Sequence, residues 1–303
     1  MERNQPSRFL ELQALASLER KRFVTRRRLD GLFSGRHLSR QQGGAGEFVD
    51  YREYSPGDDL RRLDWKVLAR TGRRFLRLYQ DETNLMCTLV VDASGSMRFG
   101  GATRYSQRGS KLEYAQYLAT ALSHLISAGQ DQVGLAIMAG TLEDYVPPGA
   151  DREHIARVQA CIENMAIRPS TNLGNGLRAL FQRVRRRGVM LLISDFLLED
   201  MQDTFAALRL FRHSHWELIL LHLIHPLEER LPDGAAVRFI GMEREPAVNC
   251  SVPEIRAAYE RRFARHCDSV RSLALSAGSD YHRVSTAIPY WTVLNRLLSE
   301  RAG

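Results

Sequence analysis

Residues 84–98 read NLMCTLVVDASGSMR. From Leu85 to Val91 the run is almost wholly apolar, without the alternation that would leave one face to water. A strand of that kind is covered on both sides, as in a parallel sheet between layers of helices. It stops abruptly at Asp92, and Ser94 and Ser96 follow at spacings of two and four. A core strand that ends in three hard oxygen ligands presents them at its carboxyl end. In open α/β sheets that edge is where ligands bind.

The neighbouring segments share the rhythm. Ser110-x-x-Glu113 is a capping box opening a helix with Leu112, Ala115, Leu118, Leu122 and Leu125 on one face, closed at Gly129. QVGLAIM (132–138) reads as a strand and LEDYVPP (142–148) as a short one after a turn. HIARVQACIENM and LGNGLRALFQRVRRR read as helices. VMLLIS and WELILLHLI are strands on either side of the helix MQDTFAALRLFRH. A hairpin insertion is expected near 233–251, then a long helix from Val252, a strand YHRVS (281–285) and a last helix through Leu298. The expected fold class is α/β, a doubly wound, mostly parallel sheet flanked by helices, with a smaller N-terminal appendage. The boundary is placed after residue 83, giving 1–83 as helix, loop and motif block and 84–303 as the α/β domain.

The 303 residues exceed a typical single domain, and apolar residues at 44% suffice for a real core. The longest apolar stretches are strand-sized, far short of a membrane span. MERNQPSRFLELQ has no apolar signal core, and Cys87, Cys161, Cys250 and Cys267 form no C-x-x-C pair. The expectation is a cytoplasmic protein with reduced thiols and no zinc site. Net charge is +8, and residues 1–82 hold 18 Lys and Arg against 12 Asp and Glu. Such a basic region suits an acidic partner, a membrane surface or nucleic acid, or is a solvated helix face; Leu12, Leu15 and Leu18 mark an amphipathic helix from Ser7 to about Arg28.

Two further loops are expected at the edge that carries Asp92. RPSTNLG (168–174) opens a helix, and Ser194-Asp195-Phe196 follows VMLLI directly. Carboxylate and hydroxyl oxygens converging without His or Cys suit a hard divalent cation, Mg²⁺ first, then Mn²⁺ or Ca²⁺. In this respect residues 84–303 resemble a von Willebrand factor A domain with its metal-ion-dependent adhesion site. The resemblance implies Asp92, Ser94, Ser96, Thr171 and Asp195 as the metal residues. Ser170 is an adjacent alternative to Thr171, and Thr141 a more distant one.

The block before this domain is EFVDYREYSPGDDLRRLDWKVLARTGRRFLRLYQDE (47–82). Pro56-Gly57 makes a turn, Asp58 or Asp59 can cap a helix carrying Leu60, Leu63, Val67 and Leu68, and Gly72 ends it. RFLRLYQ alternates like a strand, an added edge of the sheet, and the block's charges suit an ion-pair lattice. Glu47, Arg52, Tyr54, Pro56, Gly57, Asp58, Asp59, Arg61, Asp64, Trp65 and Arg70, followed by the D-x-S-x-S strand, resemble the bacterial family called domain of unknown function 58. That resemblance implies a setting beside MoxR-type AAA+ ATPases, with the metal domain as adaptor in assembly or maturation of other proteins.

The expected function is therefore a non-enzymatic, Mg²⁺-dependent interaction module that docks an acidic side chain of a protein partner. Two alternatives stand beside it. A metal-activated water could hydrolyse a phosphoester, or Arg26-Arg27-Arg28 and Arg185-Arg186-Arg187 could contact nucleic acid. The nine histidines show no ligand pattern with carboxylates, and no P-loop motif is present.

Overall fold

The computed structural model describes residues 7–16, 18, 21, 23, 47–55, 58, 63–80, 85–101, 109–169, 172–234, 236–242 and 246–302. Two compact units emerge, one of residues 30–84 and one of residues 1–29 together with 85–303. The amphipathic helix expected from Ser7 to Arg28 is, among the described residues, a single turn, α1 (Leu12–Leu15). Leu15, Leu18 and Phe23 are buried in the core of the larger unit. The Tyr290 hydroxyl donates to Glu11 at 3.0 Å, and the Lys21 ammonium donates to Asn295 and Ser299, both at 2.6 Å. This segment thus belongs with the α/β domain, which corrects the division after residue 83.

In the smaller unit, β1 (Glu47–Glu53) pairs antiparallel with β2 (Phe75–Gln80). They make a two-stranded sheet of their own, so RFLRLYQ is not an added edge of the main sheet. Between them lies α2 (Trp65–Thr71), whose cap is Asp64 rather than Asp58 or Asp59. Leu63 bridges to Leu76 and holds the chain extended up to that point. Asp64 Oδ1 then accepts from the N–H groups of Lys66 and Val67 at 2.9 and 3.1 Å, satisfying two donors of the first turn. Gly72 ends the helix with φ of 70°, the left-handed conformation for which glycine is suited.

The larger unit runs β3 (Met86–Asp92), α3 (Lys111–Ala128), β4 (Gln132–Met138), β5 (Leu142–Gly149), α4 (Arg152–Glu163), α5 (Leu173–Arg183) and β6 (Val189–Ser194). It continues with α6 (Met201–His213), β7 (Glu217–Ile224), α7 (Pro226–Glu229), β8 (Ala236–Phe239), β9 (Val248–Ser251), α8 (Val252–Ser276), β10 (Asp280–Ser285) and α9 (Tyr290–Ala302). The sheet order is β10-β7-β6-β3-β4-β5, parallel except for the antiparallel edge strand β5. β8 and β9 form the expected hairpin.

Alternation along the strands divides the core in two. Leu89, Val91, Leu191, Ile193 and Leu221 pack with α3, α4 and α9. Val90, Met190, Leu192, Leu218 and Leu220 pack with α5, α6 and α8. Burying each such side chain fully contributes about 1.5–3 kcal/mol, which is why these strands read as continuous apolar runs. The sheet so held fixes the carboxyl ends of β3, β6 and β7 side by side.

Candidate metal centre

Asp92 is the last residue of β3 and is 1% exposed. Its Oδ1 accepts the Ser94 N–H at 2.9 Å, a tight local turn that aims the next residues back over the strand end. Its Oδ2 accepts the Ser194 hydroxyl at 2.6 Å, so the end of β6 locks the carboxylate's orientation. Ser94 leads into a 3₁₀ turn, Gly95–Arg98, and its Oγ lies 3.1 Å from that of Ser96. Asp195 follows β6 and is 2% exposed; its Oδ1 accepts the Leu197 N–H at 3.1 Å. Phe196, between them, has φ of 51°, a strained value for a non-glycine residue.

The sequence reading missed a cation inside the cluster. Lys111, fully buried, donates from its ammonium to Asp195 Oδ2 at 2.6 Å and to Glu228 Oε1 at 2.5 Å. Glu228 comes from α7 after β7, and its Oε2 accepts the His225 N–H at 2.8 Å. The signal lay in Lys111 directly after the capping Ser110, at a helix start, where a cation opposes the dipole unless acids hold it.

Burial, and next the charge of Asp195, raise the Asp92 carboxyl to about 6. Burial works the same way on Asp195, but the Lys111 ammonium outweighs it and holds this carboxyl below the usual range. Burial pulls Lys111 down, yet Asp195 and Glu228 together keep it above an ordinary lysine. Glu228 is raised, chiefly by burial. Burial takes His222 down to about 3, and its Nδ1 lies 2.8 Å from the Tyr281 hydroxyl.

These residues fit a hard divalent ion. The donors are two carboxylates and two hydroxyls, the oxygen chemistry that such an ion takes. Asp92 in particular is a buried carboxylate beside a second one, a repulsion that a cation would relieve. Thr171 and its alternative Ser170 lie outside the described residues. Their neighbours reach the same edge, since Arg168 N–H donates to the Ala93 carbonyl and Asn172 N–H to that of Ala139, at 2.9 and 2.8 Å. Thr141 is in the β4–β5 turn, where its carbonyl accepts from Ala139.

In the smaller unit Asp58 accepts from the Ser55 N–H at 2.8 Å and from Arg52 at 2.6 Å, which lowers its carboxyl from the ordinary value. Tyr54 N–H donates to the Arg74 carbonyl, and the Tyr51 hydroxyl to Asp64 Oδ2 at 3.0 Å. Trp65 is 63% exposed and Arg70 sits in the last turn of α2. Glu47 opens β1 opposite Gln80. Pro56, Gly57, Asp59 and Arg61 lie outside the described residues.

The fold and this edge define a helix-flanked, mostly parallel α/β domain that gathers acidic and hydroxyl side chains at the carboxyl ends of its central strands. The chain belongs to the family described as protein of unknown function DUF58, whose model matches residues 50–269. It is 30% identical over 295 residues to protein Rv1480 of Mycobacterium tuberculosis (strain ATCC 25618 / H37Rv), covering 95% of this chain and 89% of that one. Protein Mb1516 of Mycobacterium bovis matches to the same extent. Among solved structures, an aerotolerance-related membrane protein from Bacteroides fragilis is 17% identical, with a TM-score of 0.49, covering 72% of this chain and all of that one. The SpRpn10 VWA domain is 8% identical, with a TM-score of 0.41, covering 70% and 94%. Among the described residues no helix is long and apolar enough to cross a membrane.

Proposed function

We propose that this protein is a non-enzymatic interaction module that holds Mg²⁺ through Asp92, Ser94, Ser96 and Asp195, with Thr171 completing the set, and docks an acidic side chain of a protein partner there. The observation that carries the reading is the convergence of two buried carboxylates and two hydroxyls at the carboxyl edge of β3 and β6, where Asp92, among the described residues, faces a second carboxylate and no cation of its own. An ion bound there would supply the positive charge that attracts a partner's carboxylate, while Ser194 and the Leu197 N–H keep the protein's own carboxylates oriented.

The surroundings suit docking. A cavity of about 500 Å³ opens beside Ser96, with Phe99, Leu197, Leu198, Ile240 and Met242 in its wall. Leu197 is 37% and Ile240 70% exposed, so apolar surface stands next to the charged centre. A MoxR-type AAA+ ATPase, with this chain as adaptor in assembly or maturation of other proteins in the cytoplasm, is the partner the family resemblance supports.

The test is capture from native lysate on immobilised protein, in Mg²⁺ and in EDTA, with Asp92→Ala as control. An ATPase retained only with metal and intact Asp92 is the expected result. Equal retention in all three would overturn the reading.

A further inference from the structure

The docking reading gives Lys111 and Glu228 no task, yet both are deep in the site. Lysine and glutamate are seldom buried, and then only when paired. Lys111 is 0% exposed and the Glu228 side chain 9%. The ammonium is gripped by two carboxylates, and Glu228 is gripped in turn by the His225 N–H. A buried ion pair contributes little to stability compared with apolar residues of the same volume. Its placement against Asp195 has a consequence for charge instead.

Among the described residues of the site, with their groups ionised, Asp92, Asp195 and Glu228 carry three negative charges and Lys111 one positive. What remains matches one divalent ion. We infer that Lys111, held by Glu228, is a positioning residue for the cation: it fixes the Asp195 carboxylate and sets the charge of the site so that it takes a divalent ion over a trivalent one. This rests on the cation reading above. It adds two residues that neither the D-x-S-x-S pattern nor the family motif contains.

The experiment compares Mg²⁺ and Tb³⁺ binding by calorimetry in the wild type, Lys111→Met, Glu228→Gln and the double variant, with circular dichroism as the check on folding. Lys111→Met adds a net negative charge and should shift the ratio of Tb³⁺ to Mg²⁺ affinity upward by about tenfold or more. Glu228→Gln removes one and should weaken Mg²⁺ by about tenfold. The double variant restores the balance and should return the affinity ratio to within about threefold of wild type.

Wild type that binds Mg²⁺ while the ratio stays unmoved in the folded variants overturns this inference and leaves the docking reading standing. Wild type that binds neither ion, with or without a gain in Lys111→Met, overturns both; a gain there would make Lys111 itself the cation of the site. If Lys111→Met does not fold, Glu228→Gln and the double variant decide by the same criteria.

Discussion

Replacing Asp92 with Asn should stabilise the cation-free protein near neutral pH. In the folded chain burial and the neighbouring Asp195 raise the Asp92 carboxyl from 3.8 to about 6. Between those values the folded state binds a proton that the unfolded state has released. Stability therefore falls as pH rises through that window, and the full penalty stands above about 6. The gap corresponds to about 3 kcal/mol at pH 7.5. Asp195, kept low by Lys111, stays ionised throughout, so the proton belongs to Asp92. Glu228 is raised too, but it is common to both proteins and cancels. The assay is urea unfolding in EDTA from pH 4 to 7.5. Wild type should lose about 2.4 kcal/mol relative to Asp92→Asn across that range, since a small part of the penalty is already present at pH 4. Parallel stability curves for the two proteins would refute the reasoning.

Other perturbations test the frame around the site. Leu208→Ala empties a fully buried position against the sheet and should cost about 2–5 kcal/mol in urea unfolding, with the denaturant slope unchanged. Asp64→Ala removes the α2 cap and the acceptor of Tyr51, and should cost about 1–2 kcal/mol, read by amide exchange in residues 65–71. Gly188→Ala would put a methyl 2.3 Å from the Met86 carbonyl oxygen, so the melting temperature should drop by several degrees.

Local patterns told much of this in advance, because period and composition are local properties. The almost wholly apolar run before Asp92 required cover on both faces, and the two core clusters supply it. The positions of Asp92 and Asp195 were legible because the one ends a strand of that kind and the other directly follows one. Lys111 was not, because it meets Asp195 across 84 residues and Glu228 across 117, distances that no spacing rule spans. The cap of α2 was misread among three aspartates of equal intrinsic merit. Pairing of Leu63 with Leu76 decided for Asp64, and that pairing belongs to the tertiary structure. Amphipathicity likewise marked Leu15 and Leu18 as an apolar face without saying which domain would bury it.

The most direct measurement is calorimetric titration of Mg²⁺ into EDTA-stripped, dialysed wild type and Asp92→Ala. Saturable binding of one ion to wild type, with none to the folded variant, is the predicted result. No binding to wild type, or equal binding to both, would contradict a cation centre at the end of β3.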